Sequence, residues 1–357
     1  MTALFALLSI LLIAVIVVQI GRVTELAWRI RGEEEMQRVA NNRHSMGMLI
    51  FMVAFLILVI ISGLAYKNYY LGFGPHDSAS KHGGAIDWIF HLTLIVTGIV
   101  FFITQVLLFY FAWRYKGRQD RMARFISHDN RVEIIWTAIP AVVMAFLVIS
   151  GLDVWNTVMA DIPFDSNEDY IEIEAMGYQF AWGIRYPGTD GKLGRRDYTL
   201  IDATNPFGQD WQDEANLDDI QPQEIVLPVN RKIRVRITAR DVLHNFYLPQ
   251  FRVKMDAVPG MPTYFVFTPT KTTEEYRTEL SYYPEYQQPY DPEDPNGPQM
   301  WEQFNFELAC AELCGNGHYS MRRLVRVVSQ EEYDSWLSQQ SSYYESSIKG
   351  TDNDPLQ

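Results

Sequence analysis

The sequence predicts α-helical transmembrane hairpins followed by an all-β domain. Two observations support this fold: long apolar stretches occur only in the first half of the chain, and short alternating segments follow in the second half. The chain has 357 residues, of which 48% are hydrophobic, and a formal net charge of −13. This composition fits a membrane-anchored globular domain better than a single soluble one.

The apolar stretches cover residues 4–20, 46–66, 89–112 and 134–155. Each is close to the ~20 residues that an α-helix needs to cross a bilayer. Arginines cluster after the first and the third stretch, so both of these segments are predicted to be cytoplasmic. Both termini and the whole C-terminal domain are then expected outside. The first stretch could instead be a cleaved signal peptide, but it lacks a basic segment before it and a clear cleavage site, so we expect it to be retained.

The second half predicts short strands at residues 170–176, 231–238, 263–268 and 323–328. Several such strands in ~170 residues imply a sandwich or a barrel. Ser329 and Glu332 form a capping-box pattern that predicts a terminal helix through about Tyr344. A tail from Lys349 is expected to fray.

Charge is unevenly distributed along the chain. From Ala160 onward there are 33 acidic and 17 basic residues, a net charge of −16. An acidic surface can steer a basic or dipolar partner toward it, and ordinary solubility explains the charge equally well.

Residues 310–321 (CAELCGNGHYSM) contain both cysteines of the chain, together with His318 and Met321. Two thiolates, an imidazole and a thioether this close together favour copper over harder ions. His244, at the end of a strand-like run, could complete the set. Two thiolates that bridge a pair of copper ions leave one imidazole for each metal, with Met321 and the backbone carbonyl of Glu312 as weak axial donors.

Three other sites could be formed from parts of this loop. A disulfide between Cys310 and Cys314 would close a tight loop and would leave the histidines and Met321 unexplained. A zinc site would have four ligands without Met321. A mononuclear blue-copper site needs only one cysteine.

The motif C-x-E-x-C-G-x-x-H-x-x-M, with residues 241–244 (DVLH) and 255–260 (MDAVPG), closely resembles subunit II of the haem–copper cytochrome c oxidases. The resemblance implies a cupredoxin-like Greek-key barrel with the copper loop between two strands. It also implies a dinuclear CuA centre that accepts electrons from a c-type cytochrome and passes them to a catalytic subunit, which reduces oxygen with proton translocation. The implied ligands are His244, Cys310, Glu312 through its carbonyl, Cys314, His318 and Met321.

The resemblance also divides the chain. Residues 86–160 look like the family's transmembrane hairpin, and residues 161–330 like its outer CuA domain. Residues 1–85 lie outside the resemblance and predict two extra transmembrane helices with a cytoplasmic loop, in contact with lipid and a neighbouring subunit. Residues 331–357 are predicted to form a C-terminal helix and tail. Insertions are expected near 187–223 and 274–298. The aromatic and acidic residues of the second suit a protein-binding surface, and a mobile loop without a function is an equal alternative.

Further residues match functional positions of the family. Glu133 matches a carboxylate at the mouth of a proton pathway into subunit I, although a helix dipole also stabilises an acid there. Phe180 stands where the family has an exposed tryptophan that accepts electrons, and Trp182 matches a second tryptophan or is simply strand core. Asp241 and Asp256 match positions near the cytochrome surface, or make turn or strand-end hydrogen bonds. The Glu312 side chain is expected to bind magnesium at the subunit I interface.

Other functions are excluded by absent motifs. There is no Cys-x-x-Cys-His motif, so no c-type haem is expected on this chain, and the cytochrome donor is free or a domain of another complex. No nucleotide-binding loop or nucleic-acid patch is present. The chain is therefore predicted to be an oxidase subunit in a bacterial-type inner membrane, with subunit I and other oxidase subunits as partners. The alternative is a membrane-tethered copper-binding or copper-delivery module without redox turnover.

Overall fold

The computed structural model describes residues 2–70, 77–163, 168–351 and 354. Contacts divide the chain into one unit of Met1–Leu71 with Thr93–Val142 and a second unit of Gly72–Leu92 with Val143–Gln357. The end of the tail predicted to fray lies partly outside the described residues.

Four long helices begin the fold, and all four are apolar enough to cross a membrane. Large hydrophobic side chains along them are exposed, as expected for helices that face lipid. The four predicted apolar helices are therefore confirmed. Their bounds are α1 (Thr2–Arg31), α2 (Glu33–Tyr70), α3 (Gly83–Arg114) and α4 (Asn130–Val158).

The arginine-rich segment after the first apolar stretch is helical, whereas the sequence predicts a loop. Only Gly32, with a φ of 82°, interrupts the two helices. Polar residues such as Glu, Gln and Arg are good helix formers, so the helices continue beyond their apolar parts. Within the first unit, the ring of Phe51 on α2 contacts Phe109 on α3, with 5.9 Å between the ring centroids.

The described residues of the second unit form nine strands in two sheets, which confirms the all-β prediction. One sheet has the order β2-β1-β4-β7 and the other β3-β9-β8-β5-β6. The chain crosses repeatedly between the sheets, as in Greek-key folds. The bounds are β1 (Tyr170–Tyr178), β2 (Ala181–Arg185), β3 (Ile225–Pro228), β4 (Lys232–Ala239), β5 (His244–Leu248), β6 (Val253–Ala257), β7 (Thr263–Phe267), β8 (Phe306–Cys310) and β9 (Arg322–Val328).

Strand β4 illustrates why these residues pair. Ile233, Val235 and Ile237 are completely buried, while the basic residues between them are partly exposed. Successive side chains of a strand point to opposite faces, so this alternation gives one face to the core and the other to solvent. The same apolar core includes Trp182, Phe246, Phe306 and Val325 from other strands.

Two short helices follow capping boxes. Helix α5 (Thr273–Leu280) starts after Thr272, whose side chain and backbone bond reciprocally with Glu275. It lies at the start of the second long segment, the insertion expected near 274–298, and is not predicted from the sequence. Helix α6 (Gln330–Ser338) starts after Ser329, as predicted, but ends six residues before Tyr344. A separate π-helical turn, Tyr344–Ile348, follows it, because Tyr344 and Ile348 pack with Trp211 in a small cluster of their own.

A buried charge cluster joins the first long segment, which is the insertion expected near 187–223, to the sheet. Arg185 of β2 is completely buried, and its guanidinium lies 2.6 Å from Glu174 of β1 and 2.8 Å from Asp219 of the segment. Both carboxylates are buried as well. Buried charges are tolerated only when they are paired and hydrogen-bonded. The segment around Asp219 is therefore docked on the sheet.

We expect Arg185→Met to lower the free energy of unfolding of the outer domain by about 3–5 kcal/mol, because it leaves the buried Asp219 without its cation and Glu174 with Arg196 alone. Chemical denaturation of the full chain in detergent, followed by tryptophan fluorescence, measures the change. The matched control is Arg195→Met, because Arg195 is exposed and pairs with Asp210 and Asp213 at the surface. The control should lose no more than about 1 kcal/mol. Equal losses in the two variants would contradict the role given to Arg185.

Candidate metal centre

The loop between β8 and β9 carries most of the predicted ligands, and strand pairing brings His244 beside it. Cys310 is the last residue of β8, and the loop continues to Met321 just before β9. His244 is the first residue of β5, whereas the sequence suggests that it ends a strand. Strand β5 pairs with β8, with Phe246 opposite Cys310. His244 therefore reaches the cysteine loop from the neighbouring strand.

The donor atoms of the five side chains converge. The Sγ atoms of Cys310 and Cys314 are 4.0 Å apart. His244 Nδ1 lies 3.8 Å from Cys310 Sγ, and His318 Nδ1 lies 3.6 Å from Cys314 Sγ. Met321 Sδ is 3.8 Å from Cys314 Sγ. Each sulfur of the cysteine pair thus has one imidazole as its neighbour.

A backbone carbonyl adds a sixth donor. The carbonyl oxygen of Glu312 lies 3.2 Å from Cys310 Sγ, while the Glu312 side chain is exposed. Cys310 therefore has a weak oxygen donor beside it, as Cys314 has the thioether of Met321. The structure brings together all six of the ligands that the resemblance implies.

The thiols are free and partly shielded from water. Cys310 is half-buried and Cys314 is buried. Their 4.0 Å separation is about twice the ~2.05 Å of a disulfide bond, which excludes the disulfide in this structure. Burial, and next the neighbouring Cys310, raise the pKa of the Cys314 thiol to about 11. A metal that binds here must therefore displace a proton from sulfur.

The donor set fits copper better than zinc. A cluster of His244, Cys310 and Cys314 has ligand atoms within 4.8 Å of one another, which is suitable for a metal ion. A tetrahedral zinc ion would use the two thiolates and the two imidazoles and leave the thioether and the carbonyl without a role. Soft thiolate and thioether donors with imidazole favour copper.

Asp241 lies beside the centre and orients His244. Its Oδ1 is 2.8 Å from His244 Nε2 and accepts a 2.7 Å hydrogen bond from Val242 N, while its Oδ2 accepts a 2.7 Å bond from Gln179 N. Burial alone would raise the pKa of this carboxyl, but these hydrogen bonds outweigh it and hold the pKa below its usual value. The carboxylate fixes the imidazole with Nε2–H toward Asp241 and Nδ1 toward Cys310.

The two aromatic residues of the predicted electron-accepting stretch have different environments. Phe180 is 38% exposed, and a Cβ added at Gly317 would lie 2.5 Å from its ring. The Phe180 ring therefore packs directly on the backbone of the cysteine loop. Trp182 is completely buried, with its ring 6.1 Å from that of His244 and 5.8 Å from that of Phe246. Of these two, only Phe180 reaches the surface, and the core interpretation fits Trp182.

The remaining predicted residues lie elsewhere. Glu133 is in the first turn of α4 and accepts a 3.2 Å hydrogen bond from Asp129 N, as a helix-capping acid does. Asp256, on β6, is exposed and accepts a 2.6 Å hydrogen bond from the amide of Asn245. This bond joins the paired strands β5 and β6, and the docking role of Asp256 stays a prediction.

The sequence patterns miss two residues that shape the centre. Gly177 lies in β1, where an added Cβ would come within 2.9 Å of the His244 ring. A glycine inside a strand signals such a close approach, so this residue could have been found. Gln179 donates from Nε2 to the carbonyl of Cys314 at 2.6 Å, across 135 positions of sequence. No local pattern indicates that contact.

Comparisons with known proteins agree with this picture. The family model for the transmembrane domain of cytochrome c oxidase subunit II matches residues 66–154, and the model for its periplasmic domain matches residues 171–277. The second match ends before the cysteine loop, so the ligand assignment depends on the geometry of the loop itself. The first match begins after most of α2.

Relatives cover most of the chain. The alternative cytochrome c oxidase subunit 2 of Bradyrhizobium diazoefficiens is 34% identical over 264 residues, which is 73% of this chain and 82% of that protein. Cytochrome c oxidase subunit 2 of Cereibacter sphaeroides is 26% identical over 284 residues, 75% of this chain and 80% of that protein. The crystal structure of the periplasmic domain of subunit II of cytochrome oxidase from Bradyrhizobium japonicum matches 48% of this chain and 93% of its own at 27% identity, with a TM-score of 0.29.

We expect Gly317→Ala to loosen the cysteine loop, because the new methyl group would overlap the Phe180 ring. The φ of Gly317 is −92°, so alanine meets no backbone penalty and the effect reports packing alone. Overpacking typically costs about 1–3 kcal/mol, and about 1.4 kcal/mol changes an equilibrium constant, here that of loop opening, tenfold. Thiol labelling of the metal-free full chain should be roughly tenfold faster. Gly84→Ala is the matched control, since nothing lies within 4 Å of its added Cβ; similar labelling rates in both variants would contradict the contact.

Proposed function

The chain belongs to the cytochrome c oxidase subunit II family, and we propose that it carries a dinuclear CuA centre that accepts electrons from a c-type cytochrome. It is a membrane protein with four apolar helices and an outer C-terminal domain. The electrons would pass to the haem–copper subunit I, which reduces oxygen to water with proton translocation. We place the outer domain on the periplasmic side of a bacterial-type inner membrane.

One observation carries the proposal: the donors are distributed evenly over the two cysteines. Cys310 has His244 and the Glu312 carbonyl as neighbours, and Cys314 has His318 and Met321. Two shared thiolates with one imidazole and one weak donor on each side suit two metal ions. When bound, a dinuclear copper centre supplies reversible one-electron transfer.

The chain contributes rigidity and shielding. His244 and Met321 are buried, and Cys314 is buried between them, so little water reaches this side of the centre. Asp241 holds the His244 ring, and Trp182 packs against it. Ligands that are fixed by packing and by hydrogen bonds need not rearrange when the charge at the centre changes.

The surface around the centre suits a protein partner. Exposed apolar side chains flank the ligands in sequence: Val242 and Leu243 precede His244, Leu313 precedes Cys314, and Tyr319 follows His318. The domain as a whole is acidic, with a net charge of −16 from Ala160 onward. An apolar contact patch on an acidic domain fits a basic cytochrome that is steered by charge and docks through its apolar edge.

Three finer roles stay predictions. Glu133, at the start of α4, would stand at the mouth of the proton pathway into subunit I. The exposed side chain of Glu312 would bind magnesium at the subunit I interface while its carbonyl faces the copper. The two extra helices, α1 and α2, would contact lipid and a further membrane subunit.

We expect the full chain, purified in detergent and loaded with copper, to bind two copper ions. Its EPR spectrum should show hyperfine structure from one unpaired electron shared equally by two copper nuclei. Cys314→Ser should abolish this pattern, since it removes one of the two thiolates that would hold the copper ions, whereas Met300→Leu, outside the loop, should preserve it. A single-copper spectrum from the unaltered chain would favour the copper-delivery alternative, and a preference for zinc would remove the redox function.

We expect Phe180→Ala to slow electron transfer from a reduced c-type cytochrome roughly tenfold, or about 1.4 kcal/mol, because it removes the exposed ring that packs on the cysteine loop. Stopped-flow oxidation of the cytochrome by the assembled oxidase measures this rate. The control is Tyr198→Ala, which removes an aromatic ring that is 85% exposed on the first long segment. Equal rates in the two variants, with unchanged copper spectra, would rule out Phe180 as the electron-accepting contact.

A further inference from the structure

Gln179 contacts both of the segments that carry the metal ligands. Its backbone N–H donates to Asp241 Oδ2 at 2.7 Å, and its side-chain Nε2 donates to the carbonyl oxygen of Cys314 at 2.6 Å. Asp241 belongs to the segment before His244, and Cys314 to the loop between β8 and β9. One residue of the turn between β1 and β2 therefore links these two parts of the centre.

The first of these contacts reaches His244 through one carboxylate. Asp241 accepts from Gln179 N through Oδ2, and its Oδ1 is shared by Val242 N and His244 Nε2. A carboxylate with both oxygens engaged in this way has little freedom to turn. The position of Gln179 N thus determines the direction in which Asp241 holds the imidazole, and with it the direction of Nδ1 toward Cys310.

The second contact acts on the cysteine loop itself. The Cys314 carbonyl precedes Gly315, which has a φ of 134° and would not admit a Cβ, since Gln179 Nε2 is 3.0 Å and the Phe180 ring 2.8 Å from that position. Gln179 and Phe180 together cover this part of the loop backbone. The side chain of Gln179 is exposed, so water could satisfy its amide without this bond. The need to satisfy a buried amide therefore does not explain the bond between Gln179 and the Cys314 carbonyl.

We propose that Gln179 is a positioning residue of the metal centre, which fixes the spacing between the His244 segment and the cysteine loop. This inference rests on the proposed function, because it assumes that the centre binds copper. Gln179 does not touch a donor atom; it acts through Asp241 and through the Cys314 carbonyl. Its side-chain bond can be removed while its backbone bond to Asp241 stays.

The test is Gln179→Met in the full chain, because methionine has a similar length and no charge but cannot donate to the Cys314 carbonyl. The matched control is Gln287→Met, since Gln287 Nε2 also donates to a backbone carbonyl, that of Ser281, at 2.8 Å, outside the centre. Amide hydrogen exchange over residues 311–321 is measured in the metal-free chain. Copper release to a chelator and the EPR line shape are measured in the loaded chain.

For Gln179→Met we expect roughly fivefold faster exchange in the loop and roughly fivefold faster copper release, which corresponds to about 1 kcal/mol for one hydrogen bond. The copper count should stay at that of the unaltered chain, and the hyperfine splitting should change. Gln287→Met should match the unaltered chain in all three measurements. Equal behaviour of the two variants would overturn the inference, whether or not copper binds.

The two proposals fail in different ways. If the unaltered chain lacks a two-copper spectrum, the proposed function fails, and the exchange rates of the metal-free chain still decide the role of Gln179. If the unaltered chain has that spectrum and Gln179→Met preserves the release rate, the line shape and the exchange, only the positioning role fails.

Discussion

The register between β5 and β8 is the constraint on which the metal centre depends. Phe246 lies opposite Cys310, and Ala311 donates a backbone hydrogen bond to Asn245 at 3.2 Å. His244 therefore lies beside Cys310 although 66 positions separate them in sequence. A slip of one residue would move His244 by about 3.3 Å and turn its ring to the other face of the sheet. The main-chain ladder thus sets one imidazole against one thiol before any metal binds.

Packing and hydrogen bonds then hold that imidazole from different sides. Gly177 gives the ring room, because any Cβ there would lie 2.9 Å from it, and the buried Trp182 limits its movement. Asp241 binds the nitrogen that does not face Cys310. A ring that is confined in this way presents Nδ1 in one direction only. Such preorganisation would suit the proposed electron-transfer centre, whose charge would change while its ligands stay in place.

The stability of the outer domain and the shape of the centre depend on the same hairpin. In the β1–β2 ladder, Glu174 lies opposite Arg185, and three positions further along Gly177 lies opposite Trp182. The first pair forms the buried ion cluster with Asp219, and the second packs against His244. Asp219 of the first long segment gives the buried Arg185 a second carboxylate partner, so the docked segment helps to stabilise the hairpin. The segment is thus linked through this hairpin to the strand residues that pack against His244.

How much of this could be predicted from the sequence depends on how local each signal is. Five of the six ligands share one loop of twelve residues, so their convergence follows from spacing, and the apolar helices follow from length and hydropathy. Helix α5 could also have been predicted, since Thr272 and Glu275 form a capping box. The prolines and tyrosines that follow in the same segment suggest a loop instead. Trp182 and Ile184 alternate with smaller or polar residues along β2, and that period places both in the core. The contact of Gln179 with Cys314 has no such local signal. It forms only when the turn after β1 lies against the loop after β8, and these belong to different sheets, so only the packing of the two sheets brings them together.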